Sequence, residues 1–386
     1  MADYPIRKIF QDFYPSYREH HSVTPEQESA AQCIMGCKTG KFGYSMSICP
    51  DCGHVQIHNA SCGNRNCPNC QGTKTEEWIA ARSSELIEGL SYFHVIATTP
   101  HELNPLFLNN PAPMYKLLMQ SIGAALAEVS LRKENLGAVP GFVSVLHTWG
   151  QNLELHPHVH LLVSGGGLVN SRFFKTVKNR RFLCPVTHLA GAFREKFLDG
   201  LKRLREQNLL VFSGSASVYQ GYYPWQELLT SLYHMTWNVY LKETFNGNGN
   251  AIRYLARYAY RTAISNSRIL SVNEKEVVIR WKDYRDGGKE KSLSLSGEEF
   301  VRRFLMHILP KHFSRIRYGG YLSNSTKKKC LLQIRRLTGS PHRENPLAGL
   351  SVRDRLKKLF DVDICQCPSC HSIMHQYRSP RCSRRC

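Results

Sequence analysis

Two cysteine pairs near the start of the chain have the spacing of zinc ligands. Cys49 and Cys52 form one Cys-x-x-Cys motif, and Cys67 and Cys70 form a second. Each motif folds as a tight turn that presents two thiolates, and four thiolates suit tetrahedral Zn²⁺. Such a site has no open coordination position, so its zinc would be structural and would fold a small module. The spacing predicts one zinc shared by these four cysteines.

Other cysteines offer further metal ligands. Cys33 and Cys37 are four residues apart on an expected helix, and Cys62 lies between the two motifs. With His54 or His58 as nitrogen donors they form a candidate second zinc site, and packing of the thiols is the alternative. Five more cysteines lie between residues 365 and 386 in a less regular pattern, which leaves their zinc binding open.

A histidine pair lies on an expected strand. On a strand, residues two apart share a face, so His158 and His160 project together. Two imidazoles on one face can hold a divalent cation when a third ligand completes the site. The preceding strand carries His147, which is the preferred third ligand, with Gln151 and His156 as alternatives. A solvated or hydrogen-bonded histidine pair is the competing interpretation.

Two tyrosines are spaced four residues apart in a helical segment. On a helical wheel for residues 251–265, Tyr254 and Tyr258 fall opposite the apolar side, together with Arg257 and Arg261. A tyrosine oxygen can attack a DNA phosphodiester if a metal polarises the phosphate and cations offset the developing charge. The alternative is a wet helix face on which tyrosines stack against arginine side chains.

The elements expected to position these groups alternate between strands and helices. Runs rich in β-branched and aromatic residues begin at Tyr92, and they are separated by helical segments at 114–132, 189–207 and 225–242. A further helix is expected at 75–90. This pattern predicts an α+β domain with a largely antiparallel sheet.

The chain is strongly basic. Its 386 residues carry 51 Lys and Arg against 30 Asp and Glu, a net charge of +21, and residues 302–386 contain 19 basic against 4 acidic residues. Such a field favours polyanionic partners. We find no apolar run long enough to span a membrane and no secretion signal, so we expect a cytoplasmic protein whose cysteines bind metal. Residues expected to contact DNA are Arg257, Arg261, Arg315, Arg317, Lys327, Lys328 and Lys329.

Together the motifs resemble a known family, the HUH-endonuclease transposases with paired tyrosines of the insertion sequence 91 family, which move by a rolling-circle-like route. The resemblance covers most of the chain. It is carried by SCGNRNCPNCQ at 61–71, FHVIATTPHELNPL at 93–106, LHTWGQNLELHPHVHLLVSGGG at 146–167, YLARYAYRTAIS at 254–265 and HILPKHFSRIRYGGYL at 307–322.

The resemblance implies roles for these residues. His158 and His160 would be the metal pair, Tyr254 and Tyr258 the nucleophiles, and the fold a ferredoxin-like or RRM-like sheet. We expect a zinc-binding domain at 1–88, a catalytic domain at 89–301 and a basic region at 302–386. The expected cofactors are catalytic Mg²⁺ or Mn²⁺ and structural Zn²⁺, with no nucleotide, and the expected partner is single-stranded DNA at transposon ends and targets.

Two rival functions follow from the same motifs. A rolling-circle replication initiator or relaxase would use the same chemistry for another purpose. A noncatalytic zinc-finger regulator would bind DNA without cutting it. The oligomeric state, the DNA sequences recognised and the order of the tyrosines are not fixed by these patterns.

Overall fold

The computed structural model describes residues 4–170, 172–243, 248–260 and 262–378, except the side chains of 248–251, 257 and 378. The helices are α1 Pro5–His20, α2 Pro25–Gly36, α3 Gly72–Ser83, α4 Asn104–Asn109, α5 Pro111–Leu131, α6 Val186–Glu206, α7 Tyr222–His234, α8 Asn248–Ala259, α9 Gly297–Leu305, α10 Lys327–Thr338 and α11 Val352–Phe360. The strands are β1 Tyr44–Ile48, β2 Val55–Asn59, β3 Tyr92–Thr98, β4 Val139–Trp149, β5 Leu155–Val169, β6 Phe173–Thr176, β7 Val239–Glu243, β8 Ile269–Val272, β9 Glu276–Asp283, β10 Lys289–Ser296, β11 Ile316–Gly319 and β12 His375–Arg378.

The largest sheet has the strand order β11-β4-β5-β3-β7, with β6 paired to β5. Strand β5 lies in its middle, and β4 and β5 form the hairpin expected from the sequence, in which His147 stands directly opposite His158. Every strand pair in the described ranges is antiparallel. The predicted α+β class with a largely antiparallel sheet is therefore confirmed.

The two faces of this sheet are covered by different helices. On one face Phe93, Val95 and Leu161 contribute to the main core, to which α5 and α6 supply most of the helical side chains. On the other face Val145 and Leu162 pack against α3 and α8. Because both faces are covered, β4 and β5 are buried along most of their length, as strands of a two-sided core must be. The metal-binding candidates of β4 and β5 lie on the α8 face.

The amino-terminal helices belong to a second core. Phe10 and Tyr14 of α1 pack with Phe300 and Phe304 of α9, and strands β8, β9 and β10 complete this region. A third sheet, of order β12-β1-β2, joins the first cysteine motif to the carboxyl-terminal part of the chain. Residues beyond 301 thus contribute β11 to the central sheet and β12 to this small one.

Two predicted helices are wrong in their second halves, because the helix expected at 75–90 ends at Ser83 and the one expected at 225–242 divides in two. The segment 225–242 was expected to be a single helix, but α7 ends at His234 and β7 begins at Val239. Met235 is extended, and the Trp237 indole donates a hydrogen bond to the Leu232 carbonyl at 2.9 Å, closing the helix end. Strand β7 then pairs with β3, so sheet pairing replaces the helical pattern. Among the described residues, no helix is both long and apolar enough to cross a membrane.

Candidate functional site

Three histidines converge on the α8 face of the central sheet. His147 lies on β4, and His158 and His160 lie on β5, and each offers a ring nitrogen within 4.8 Å of those of the other two. The hairpin register brings them together, because residues opposite each other in antiparallel strands share a face. Of the three alternatives for a third ligand, His147 is therefore the one that the fold places beside the pair.

Hydrogen bonds orient each of the three imidazoles. His158 donates from Nδ1 to the His156 carbonyl at 2.7 Å, and His147 donates from Nε2 to the Tyr258 carbonyl at 2.8 Å. His160 Nδ1 lies 3.0 Å from His94 Nε2. One nitrogen of each ring thus takes part in an orienting contact, as is usual for metal-binding histidines.

His94 is a site residue that the sequence reasoning missed. It lies on β3, is 6% exposed and stacks parallel to the His160 ring, with ring centroids 5.2 Å apart. Burial lowers the pKa of His94 to about 4. Burial likewise lowers the pKa of His158 to about 4, against the raising effect of its hydrogen bond to His156. Both rings are neutral at pH 7, and a neutral imidazole is the form that binds metal. The sequence signal was a histidine within the strand-like run FHVIATTP, but its contact with His160 depends on the pairing of β3 with β5.

The two tyrosines lie on α8 beside the histidines. The Tyr258 ring stacks on His160 with centroids 3.9 Å apart and an interplanar angle of 20°. Its hydroxyl donates a hydrogen bond to the Tyr254 hydroxyl at 3.0 Å. Tyr254 is 38% exposed and meets the edge of His94 at 4.9 Å. The two phenolic oxygens therefore lie together at the edge of the histidine cluster.

The amphipathic sequence of α8 explains this placement. Ile252, Leu255, Ala256 and Ala259 are all buried, as the helical wheel predicts. The helix contacts both β4 and β5, and Tyr258 lies beside its buried side, where it stacks on His160. Tyr260 points elsewhere, against the Trp78 ring.

The site opens into a cleft of ≈ 1230 Å³. One wall carries the three histidines and the two tyrosines. Another wall comes from the end of β9 and the turn after it, with Trp281, Lys282, Tyr284 and Arg285. Tyr284 is 72% exposed. Aromatic side chains and cations thus line the same cleft as the histidines.

The residues expected to contact DNA differ in their exposure, and some of them lie outside the described part of the chain. Arg261 and the side chain of Arg257 lie outside the described residues. Arg315 is 9% exposed with its guanidinium 5.9 Å from the centre of the Trp149 ring, and burial lowers its pKa to about 10. The cation of Arg317 lies 5.3 Å from the centre of the Phe313 ring.

The three lysines of α10 also differ from one another. Lys327 is paired with Glu85 at 2.7 Å, whereas Lys328 and Lys329 are exposed. The expected basic surface is thus exposed at Lys328 and Lys329, whereas Arg315 is buried and Lys327 is tied to a carboxylate.

The cysteines are grouped differently from the prediction. One group contains Cys37, Cys62, Cys67 and Cys70, and another contains Cys49, Cys52, Cys367 and Cys370; within each group the Sγ atoms lie within 4.8 Å of one another. The predicted quartet, which joined the 49–52 motif to the 67–70 motif, is corrected. The 67–70 motif folds back onto the end of α2, whereas pairing of β1 with β12 brings the carboxyl-terminal motif to the 49–52 turn.

The first group draws on the expected second site. Cys37 and Cys62 belong to it, while Cys33 is buried beside it and is not a member. The pKa of Cys37 lies well below its usual range, because the thiol of Cys62 and then those of its other neighbours hydrogen-bond to it. The expected nitrogen donors are in neither group. Instead, the Nδ1 atom of His54 forms a hydrogen bond with the Oγ atom of Ser369 at 3.4 Å.

Comparisons with known proteins agree with this architecture. A family model described as "Putative transposase" matches residues 141–329, and one described as "Transposase zinc-binding domain" matches residues 9–99. The "Putative transposase y4qJ" of Sinorhizobium fredii is 36% identical, over 95% of this chain and 92% of its own. The "Transposase for insertion sequence element IS801" of Pseudomonas savastanoi pv. phaseolicola is 28% identical, over 88% of this chain and 81% of its own. No solved structure matches the chain.

The chain is therefore a transposase. More narrowly, it belongs to the IS91-type family, whose members carry an amino-terminal zinc-binding domain. Membership implies DNA as the partner, and the cysteine groups support structural Zn²⁺.

Proposed function

We propose that this transposase nicks and rejoins single-stranded DNA at transposon ends through 5′-phosphotyrosine intermediates. One observation carries the proposal: two tyrosine hydroxyls 3.0 Å apart stand beside three histidines whose nitrogens converge. A nucleophile next to a metal-binding group is what phosphoryl transfer requires. The stacking of Tyr258 on His160 supports placing attack and phosphate polarisation at one point.

The histidine cluster fits a catalytic divalent cation, Mg²⁺ or Mn²⁺. His147 Nδ1, His158 Nε2 and His160 Nε2 are the ring nitrogens that do not make these orienting contacts, and they are the proposed ligand atoms. A bound ion would supply positive charge that polarises the scissile phosphate. Because the three donors are all nitrogen, the set favours Mn²⁺ over the oxygen-preferring Mg²⁺.

The tyrosines carry the covalent step. A phenolic oxygen of Tyr254 or Tyr258 gives up its proton and attacks phosphorus, forming a tyrosine–phosphate bond, while the bond from phosphorus to the 3′ oxygen breaks. The leaving oxygen takes up a proton and becomes a free 3′-OH. A 3′-OH of another strand later attacks the phosphotyrosine and releases the tyrosine. Each step exchanges one phosphodiester for another, so no nucleotide is consumed.

The pair of tyrosines allows two such linkages. The hydroxyls lie within hydrogen-bond distance, so both can reach a phosphate held at the same histidines. While one tyrosine holds a cleaved end, the other is available for a second strand. Cleavage and strand transfer can then alternate within one site.

The aromatic and cationic side chains that line the cleft support an unpaired strand as substrate. Trp281 and the exposed Tyr284 offer ring faces, and Lys282 and Arg285 offer cations for the backbone. Stacking on aromatic side chains requires bases whose faces are free, as they are in single strands. A duplex, in which neighbouring base pairs cover those faces, does not provide this contact.

The experiment uses the full-length protein with Mn²⁺ or Mg²⁺ and labelled single-stranded oligonucleotides spanning the element's ends. We expect a covalent adduct on the fragment with the 5′ phosphate, and a partner fragment with an extendable 3′-OH. His158→Ala and His160→Ala should each abolish cleavage and leave binding near normal, since affinity comes mainly from backbone charge. Cleavage without an adduct would indicate hydrolysis and would contradict the proposal.

The tyrosine variants refine the assignment. Tyr254→Phe and Tyr258→Phe should each lose complete strand transfer, while at least one still forms an adduct. The double variant should form none. Tyr260→Phe is the matched control, since that ring packs on Trp78, and it should behave as the wild type. An adduct that persists in the double variant would show that the nucleophile lies elsewhere.

The same assay separates the rival functions. A zinc-finger regulator would bind the oligonucleotides and leave them intact. A replication initiator or relaxase would cut and rejoin its own origin and would not join element ends to a new target. Family membership favours transposition over both.

A further inference from the structure

The carboxyl-terminal cysteine motif meets the amino-terminal one across most of the chain. Cys49 Sγ lies 3.4 Å from Cys370 Sγ, and Cys52 Sγ lies 3.6 Å from Cys367 Sγ, at sequence separations of 321 and 315. A disulfide would bring sulfurs to about 2.05 Å. Four thiolates around Zn²⁺ at about 2.3 Å stand about 3.8 Å apart at the corners of a tetrahedron. The observed spacings are close to the second arrangement.

The two motifs have the same backbone geometry. The Cys49 amide donates to the His54 carbonyl at 2.9 Å, and the Gly53 amide donates to the Cys49 carbonyl at 3.1 Å. In the second motif the Cys367 amide donates to the Ser372 carbonyl at 2.8 Å, and the His371 amide donates to the Cys367 carbonyl at 3.0 Å.

The backbone also turns alike at the fourth residue after the first cysteine. This residue has φ +72° at Gly53 and φ +64° at His371. A histidine in the left-handed region is uncommon and strained, so the turn is maintained at a cost. The same tight turn in two distant segments indicates that both segments have the same function, which is to present a pair of thiolates.

Apolar packing alone would not hold together the module formed by the sheet β12-β1-β2 and the two cysteine motifs. As far as the structure describes it, the module's buried cluster consists of Cys49, Cys367 and Met374. Ile57 is 60% exposed and Ile373 is 71% exposed, so the sheet β12-β1-β2 covers little apolar surface. Modules with so small a core generally need a metal or another cross-link to fold.

We infer that Cys49, Cys52, Cys367 and Cys370 bind a second structural zinc ion, which fastens residues 367–378 to the amino-terminal module. The two family matches cover 9–99 and 141–329, so half of this ligand set lies outside both. The ion is distinct from that of the group at Cys37, Cys62, Cys67 and Cys70. The proposal stands independently of the phosphotyrosine chemistry.

The two sites differ in access. Cys52 is exposed, whereas Cys37, Cys62 and Cys67 are buried. A chelator reaches the exposed thiolate of Cys52 first, so zinc should leave the site of Cys49, Cys52, Cys367 and Cys370 before it leaves the site of Cys37, Cys62, Cys67 and Cys70.

Metal analysis of the full-length protein is the first test. The wild type should hold two zinc ions per chain, and Cys367→Ser/Cys370→Ser should hold one. Cys365→Ser is the matched control, because Cys365 lies in the same segment and is not in the group, and it should hold two. A double variant with the wild-type zinc content, or a wild type with one zinc, would overturn the proposal.

The second test needs no variant. Mild chelation of the wild type should release one zinc ion in a fast phase, followed by a slower phase for the other. Hydrogen exchange measured after the fast phase should increase in residues 44–59 and 367–378 and stay unchanged in 62–70. Exchange that increases first in 62–70, or not at all, would refute the assignment even if the double variant fails to fold.

Discussion

Lowering the pH should destabilise this protein through His307, which fixes the strands that carry the metal-binding candidates. His307 is 4% exposed. Its Nε2 donates to the Leu153 carbonyl at 3.1 Å, and its Nδ1 accepts from the Thr148 hydroxyl at 3.1 Å. The first contact lies in the turn between β4 and β5, and the second lies near the end of β4, next to His147. Protonation would remove the acceptor that Thr148 uses and would place a charge in the core.

The magnitude follows from the pKa. Burial lowers the pKa of His307 from 6.5 to about 4. Between these values the unfolded chain binds the proton and the folded chain does not, so stability falls as the pH falls. Over the whole interval the loss is about 3 kcal/mol, and between pH 7.5 and 5.5 it is about 1.3 kcal/mol.

The assay is urea unfolding at pH 7.5 and 5.5 with free zinc held constant. Other histidines also titrate, so the comparison is made with His307→Gln, whose amide can donate and accept but does not titrate. The wild type should lose about 1.3 kcal/mol more than this variant between the two pH values. His342→Gln, at an exposed histidine, is the matched control for the histidine-to-glutamine substitution itself. If wild type and His307→Gln lose equal amounts, the buried neutral histidine is not the cause.

Three further perturbations test other parts of the structure. Gly320→Ala should lower the free energy of unfolding in urea by about 3 kcal/mol or more, because the residue has φ +57° and a Cβ would overlap the backbone of β4. Gly339→Ala is the control, since this residue has φ +66° but open space around it, and it should lower the free energy of unfolding by about 1 kcal/mol. Arg65→Ala should lower the free energy of unfolding by about 3 kcal/mol, since this guanidinium donates to three backbone carbonyls in residues 309–313 at 2.6 to 3.2 Å. An unchanged urea midpoint would mean that contacts other than Arg65 hold residues 309–313 in place. Tyr284→Ala should weaken single-strand binding about tenfold with the salt dependence kept, and a changed salt dependence would point to lost charge contacts instead.

Local patterns in the sequence predicted the centre of the fold well. The His158/His160 strand, its hairpin with the strand of His147 and the buried side of α8 all follow from periodicities of two or 3.6 residues. These periodicities act within a segment, which is where sequence reasoning is strongest. The helix predicted for 225–242 was wrong from Val239 onward, because pairing of this segment with β3 overrides its local helical pattern.

Contacts between distant segments were harder to predict. His94 is separated from His160 by 66 residues, and only the strand order reveals that they touch. The cysteine pairing failed for the same reason, because nearest-neighbour spacing joined Cys52 to Cys67 while β12 supplied the true neighbours. Arg315 was expected to contact DNA, but it is buried just before β11, and its burial depends on tertiary packing.

The pairing of β1 with β12 imposes an order on synthesis. The turn at Cys49 and Cys52 leaves the ribosome early, but Cys367 and Cys370 are translated more than 300 residues later. At about 5–20 residues per second this interval is about 15–60 s. During that time β1 has an open edge, and the thiols of Cys49 and Cys52 lack the partners that Cys367 and Cys370 provide. The small sheet thus closes only after β12 is made, and nascent chains arrested before residue 367 should carry reactive thiols at Cys49 and Cys52 that the full-length protein protects.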